Sequence, residues 1–125
     1  MSEKYQELTP PYHIYVRSIV RHKGGGRYFY LSHIVKDYKF IYFILKQVQQ
    51  NKYIGEIILA NEELGSIVVP EGYQLYKRKV IQKGKNTKLV FFSPVLSSNY
   101  RFAVIKLKQI EENRYNVEIE LRSNR

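Results

Sequence analysis

The sequence predicts an α+β domain in which a small, strongly twisted antiparallel β-sheet or open barrel carries one packed helix. Three observations predict this class. Several short segments alternate apolar and polar residues as strands do, turn-forming residues join two pairs of these segments, and one longer apolar segment has helical spacing. An all-β barrel is the alternative, because the longer segment is also rich in residues that favour strands.

Two β-hairpins with basic tips are the most distinctive elements. The first has arms His13–Arg21 and Arg27–His33, and the three glycines of its turn, Gly24–Gly26, allow positive φ angles at little steric cost. The other predicted hairpin has its first arm at Tyr73–Gln82, its turn at Lys83–Asn86 and its second arm at Thr87–Phe92. Four further strands are expected at residues 53–59, 66–69, 101–110 and 115–121.

The segment Val35–Asn51 fits two structures. Its length exceeds that of most strands, and one helical face collects its apolar residues, so we predict a helix there. The residues on that face are Val35, Tyr38, Ile41, Tyr42, Leu45 and Val48. The centre of the segment, Phe40–Leu45, is also typical of a strand buried on both faces.

The chain of 125 residues predicts one globular domain, 12–125, preceded by an arm, 1–11, which ends at Thr9-Pro10-Pro11. We identify no internal repeat and no linker. The absence of cysteine excludes disulfides and thiolate metal sites. Because the first residues lack the apolar run of a signal peptide and Phe40–Leu45 is too short to cross a bilayer, we expect a cytoplasmic protein without a membrane partner.

The net charge of +10 is unevenly distributed along the chain. Eight Lys or Arg residues lie between Arg17 and Lys52 against the single acid Asp37, and residues 77–108 carry nine positive charges and no acid. Residues 53–72 carry four acids and no positive charge. This alternation predicts a basic face that attracts polyanions and an acidic face elsewhere.

We therefore predict a small nucleic-acid-binding protein, with single-stranded DNA or RNA favoured. Cations at the two tips contact phosphates, exposed glycine amides of the first tip approach anions, and tyrosines stack on bases. The candidate residues are Arg17, Arg21, Lys23, Arg27, Tyr28, Tyr30, Tyr76, Lys77, Arg78, Lys79, Lys83, Lys85 and Lys88.

Two other functions fit the same sequence. The basic patches suit an assembly or inhibitor protein that engages an acidic partner surface, and an exposed strand edge suits a homodimer. Alternatively, His13 and His33 approach each other across the first hairpin and, with His22, cleave RNA without a metal. The sequence predicts no cofactor and no metal site, and an enzyme is the less favoured interpretation.

Overall fold

The computed structural model describes residues 8–35, 37–82, 85, 87–92, 95–96 and 99–123. This part of the chain is nearly all β, with one helical turn, α1 (Ser32–Val35). The strands are β1 (His13–Ser18), β2 (Val20–Arg21), β3 (Arg27–Tyr30), β4 (Phe40–Gln49), β5 (Lys52–Ala60), β6 (Gln74–Lys79), β7 (Ile81–Gln82), β8 (Lys88–Phe91), β9 (Phe102–Glu111) and β10 (Arg114–Arg122).

The strands form two antiparallel sheets that are joined at both edges. The six-stranded sheet has the order β1-β9-β10-β5-β4-β6, and the four-stranded sheet has the order β2-β3-β8-β7. Ile19 alone separates β1 from β2, and Val80 alone separates β6 from β7. Each of these two bent strands therefore passes from an edge of one sheet to an edge of the other, and the sheets enclose a single core.

Alternate residues of the strands fill this core, as the pleat of a strand dictates. The Phe43 and Phe92 rings stack with their centroids 4.3 Å apart, so the core joins the two sheets. The inward-facing side chains, each no more than 2% exposed, include Phe29, Ile41, Phe43, Leu45, Ile57, Leu59, Val90, Ala103, Ile105, Leu107, Val117, Ile119 and Leu121.

The α+β prediction with one packed helix is wrong. Most of the segment predicted to be helical is strand β4, which pairs with both β5 and β6. Residues 41–45 of β4 are buried on both faces, because the loop after β5 covers the outer face. In this loop the backbone amide of Leu64 donates a 2.9 Å hydrogen bond to the Tyr42 hydroxyl. A strand buried on both faces is continuously apolar, and such a run also satisfies helical spacing. The strand predicted at 66–69 is part of that loop.

The described end of the N-terminal arm lies against the outer face of β9 and β10. The amide of Leu8 donates to the carboxylate of Glu118 at 3.2 Å, and the Lys108 ammonium donates to the carbonyl and the hydroxyl of Thr9. Glu118 is only 3% exposed and also forms an ion pair with Lys52 at 3.6 Å. The arm therefore shields a buried charge pair on the outside of the sheet.

The order of elements is the same in both halves of the chain, so the statement that it has no internal repeat is wrong. Each half has a bent strand, a short strand, a buried turn and a long hairpin. Residues 12–35 align without gaps with 73–96, and 38–61 align with 100–123. In the second pair of segments ten positions are identical, namely Tyr38/Tyr100, Phe40/Phe102, Leu45/Leu107, Lys46/Lys108, Gln47/Gln109, Asn51/Asn113, Tyr53/Tyr115, Glu56/Glu118, Ile57/Ile119 and Leu59/Leu121.

Equivalent contacts relate the halves by an approximate two-fold axis. Asn51 donates to the carbonyl of Leu121 at 2.9 Å, and its equivalent Asn113 donates to the carbonyl of Leu59 at 3.0 Å. Gly55 lies opposite its own equivalent, Val117, in the β5–β10 pair. Phe29 lies opposite its equivalent, Val90, in the β3–β8 pair. An axis through these two self-equivalent pairs, perpendicular to the strands, exchanges the two ends of the barrel.

Candidate nucleic-acid interface

Both predicted basic hairpins exist only at their tips. β2 pairs with β3, and β7 pairs with β8. The longer parts of the first arms, β1 and β6, leave these hairpins and pair instead with β9 and β4. The bends at Ile19 and Val80 allow this change of partner, since the amide of each donates to the other half of the chain, to Arg101 and Lys39 respectively.

The two tips lie at opposite ends of the four-stranded sheet. β3 and β8 are neighbours, with Tyr28 opposite Phe91 and Tyr30 opposite Leu89. Because the pair is antiparallel, the loop before β3 and the loop before β8 project in opposite directions. About 13 Å of strand separates their bases, from a rise of about 3.3 Å per residue. The predicted basic residues therefore do not form one continuous surface around both tips.

The first loop, residues 22–26, is a compact structure with cations at its base. The amide of His22 donates to the carbonyl of Gly26, and the amides of Gly24 and Gly25 both donate to His22. The amides of Gly24 and Gly25 are thus already satisfied inside the loop, so the expected approach to an anion does not apply to these two. Gly25 has a φ of 97°, which explains a glycine at this position.

Arg21 and Arg27 lie directly opposite each other at the base of the first loop. This pairing concentrates two positive charges at one end of the four-stranded sheet, and Arg27 has further interactions within the structure. Lys23 is exposed, as is Arg21. Within the described part of the chain, neither Arg21 nor Lys23 has an acidic partner.

The second loop lies between Gln82 and Lys88, which are paired across β7 and β8. The side-chain amide of Gln82 donates to the backbone carbonyl of Lys85 at 3.1 Å, and Lys85 is exposed. Lys83, another candidate, lies outside the described residues. A cavity of about 260 Å³ opens at this end of the barrel, and its lining includes Asp37, Lys39 and Lys88.

Two of the candidate arginines are structural. Arg17 donates to the carbonyls of Tyr30 and Val16, and its guanidinium lies 5.2 Å from the Tyr15 ring. Its equivalent, Arg78, donates to the Lys77 carbonyl and lies 5.7 Å from the Tyr76 and Phe92 rings. Both occupy the seams where the bent strands leave one sheet for the other, and both are half-buried.

The lysines of β6 face outward, away from the core. Lys77 forms a 2.8 Å ion pair with Glu63 of the acidic loop after β5. The hydrogen bond to Glu63 raises the pKa of Lys77 and lowers that of Glu63. Lys79 is exposed on the same outer face. Lys77 and Lys79 face outward because Tyr76 and Arg78 occupy the core-facing side of the same strand.

The candidate tyrosines offer little surface for stacking on bases. Tyr28 is 4% exposed, and its ring meets the Tyr30 ring edge to face at 5.5 Å. A hydrogen bond with Tyr28 raises the pKa of Tyr30, which is itself half-buried. Tyr76 is half-buried against Phe92, with 5.2 Å between the ring centroids.

The histidines do not assemble into a catalytic pair. His13, at the start of β1, lies opposite Leu107, whereas His22 is in the loop that follows the far end of the same bent strand. His33 belongs to α1 and not to a strand opposite His13. Within the described residues, no group of three potential metal ligands is present.

Comparisons with known proteins return no relative: no protein-family model, no curated protein and no solved structure matches the chain. The single helical turn is far shorter than a helix that spans a bilayer, and the described residues contain no other helix. Function is therefore inferred from the chemistry of this chain alone.

Proposed function

We propose that this protein binds nucleic acid, with single-stranded DNA or RNA favoured, through the phosphate backbone at its cationic hairpin loops. Arg21, Lys23 and Arg27 of the first loop make the principal contacts. Recognition is electrostatic and independent of sequence, because phosphates carry no base information and two of the three candidate tyrosines, Tyr28 and Tyr76, are engaged in packing.

The observation that supports this proposal best is the juxtaposition of Arg21 and Arg27 beside the exposed Lys23. Guanidinium groups bind phosphates in a bidentate manner, and the two arginines lie opposite each other in one strand pair. The net charge of +10 adds a long-range field that speeds the approach of a polyanion.

The test is fluorescence anisotropy of labelled single-stranded DNA, RNA and duplex DNA over a series of salt concentrations. For Arg21→Ala/Lys23→Ala we expect at least about tenfold weaker binding of the preferred nucleic acid. We also expect a log–log salt slope that is shallower by about 1.4, since each phosphate contact contributes about 0.7 for a single strand.

Lys77→Ala/Lys79→Ala is the matched control, because it also removes two positive charges but from the outer face of β6. This control should keep the salt slope of the wild type. Equal losses in the two variants would show that only net charge matters. Absence of salt-dependent binding by the wild type would refute the proposal and direct attention to an acidic protein partner.

A further inference from the structure

The duplication places a second cationic loop at the opposite end of the barrel from the first. The approximate two-fold axis that exchanges Gly55 with Val117 and Phe29 with Val90 also exchanges the two loops. The base of the first loop is Arg21 opposite Arg27, and the equivalent pair in the second half is Gln82 opposite Lys88. Lys85 adds an exposed cation to the second loop, as Lys23 does to the first.

The surface between the two loops does not favour one continuous nucleic-acid path. On the outer face of the four-stranded sheet, the alternation of residues places Val20, Tyr28, Tyr30 and Ile81, none of which is cationic. Ile81 is 40% exposed there, and an apolar surface offers nothing to a phosphate. The bases of the two loops, Arg27 and Lys88, lie at opposite ends of about 13 Å of strand. This distance exceeds the Debye length of about 8 Å at physiological salt, so nucleic-acid strands bound at the two ends barely repel each other.

We propose that one molecule of this protein bridges two separate nucleic-acid segments, one at each hairpin loop. This inference rests on the proposed function, and it adds a stoichiometry of two strands per chain and an activity, the joining of strands, that a single site does not provide. The first loop binds more tightly than the second, because it has two arginines where the second has Gln82 and Lys88.

The experiment mixes the protein with two oligothymidylates, one carrying a donor fluorophore and one an acceptor, which cannot pair with each other. We expect energy transfer between them at substoichiometric protein, its loss when oligonucleotide is in large excess over protein, and a titration endpoint of two oligonucleotides per chain. Sedimentation of the protein alone establishes that it is a monomer at the concentration used. A dimer that bridges through one loop per chain would overturn the inference.

The matched variants are Lys23→Glu and Lys85→Glu, which reverse one exposed charge in the first and the second loop. Each should abolish energy transfer while still binding one oligonucleotide in an anisotropy assay, and binding should be weaker in Lys23→Glu. The double variant Lys23→Glu/Lys85→Glu should lose both signals.

The outcomes separate the two proposals. If the wild type binds neither oligonucleotide, the proposed function itself is refuted. If it binds a single oligonucleotide per chain without energy transfer, the proposed function stands and the bridging inference is refuted. Energy transfer that persists in both single variants also refutes it, because bridging would then not need both loops.

Discussion

Asn51 and Asn113 show at the scale of single residues how the two halves hold each other. Each lies in the turn of its long hairpin, and its side-chain amide donates to a carbonyl of the other half, Leu121 or Leu59. The backbone carbonyl of each also accepts from the amide of that same leucine, at 2.7 Å and 2.8 Å. An asparagine can pair with both backbone groups of one leucine. Its side-chain amide donates to the leucine carbonyl, and its own backbone carbonyl accepts from the leucine amide.

We predict that Asn51→Ala and Asn113→Ala each lower the free energy of unfolding by about 1–2 kcal/mol, since each leaves a partly buried carbonyl without its donor. The two losses should be equal within error because the contacts are equivalent. Urea denaturation followed by circular dichroism measures both. Asn61→Ala, at an exposed loop position, is the control and should change stability little. A large loss in only one variant would contradict the equivalence.

Gly55 marks a position at the axis where the halves differ. A Cβ atom there would lie 1.7 Å from the carbonyl oxygen of Ile44, so no side chain fits without moving the backbone of β4. Its equivalent Val117 is buried in the core and 1% exposed. The axis passes between these two residues. On one side of it, glycine lets the backbones of β5 and β4 approach closely, and on the other side valine packs in the core.

At the scale of elements, six tyrosines line the core in two equivalent clusters. Tyr53 interacts with Tyr76 and Tyr100, and its equivalent Tyr115 interacts with Tyr38 and Tyr15. All six are partly buried and packed on the core. They account for half of the twelve tyrosines in the chain. The abundance of tyrosine, which suggested stacking surfaces for bases, therefore has a structural explanation.

Burial raises the pKa of Tyr53 and of Tyr115 above the ordinary value of 10.0. The folded protein consequently holds these protons more tightly than the unfolded chain. The stability that these two tyrosines contribute is fully present below about pH 10. It falls as the pH rises from the tyrosine pKa of the unfolded chain toward the raised pKa values of the folded protein.

We predict that the urea midpoint declines between about pH 9 and about pH 11, and that tyrosinate absorbance lags behind that of the unfolded chain. Tyr53→Phe/Tyr115→Phe should show a shallower decline over the same range, because it lacks the two shifted hydroxyls. A decline as steep as that of the wild type would assign the effect to other groups, the lysines above all.

At the scale of the whole molecule, the halves are interleaved instead of being separate lobes. Strands of the first half pair with strands of the second at four places, β1 with β9, β5 with β10, β4 with β6 and β3 with β8. Within a half, only the hairpin partners pair. Neither half can therefore unfold without removing hydrogen-bond partners from the other.

We predict a single cooperative unfolding transition despite the duplication. Circular dichroism and tyrosine fluorescence should give coincident curves in urea. Val117→Ala, which deletes buried methyl groups at the axis, should lower the midpoint of the whole transition without splitting it. Two resolved transitions in the wild type would contradict the interleaved arrangement.

Local sequence patterns predicted several of the strands and turns but not β4. The alternation of Tyr115, Val117, Ile119 and Leu121 predicted β10 with one face in the core, and the turn residues correctly placed both hairpin tips. It also contained the repeat, visible when Gln47, Asn51 and Tyr53 are compared with the residues 62 positions later, Gln109, Asn113 and Tyr115. The repeat is inconspicuous because its identities are dispersed among unlike residues, such as Ile44 against Lys106 and Ile58 against Glu120.

The tertiary structure sets which basic residues lie at the same end of the barrel. Strand pairing is non-local, so no local pattern shows that β1 and β6 bend away from their hairpins to join the other half. That exchange directs the two loops to opposite ends and buries Arg17 and Arg78 partly at the seams. The burial of β4 on both faces was likewise set by its neighbours, which is why its apolar residues satisfied a helical pattern and yet formed a strand.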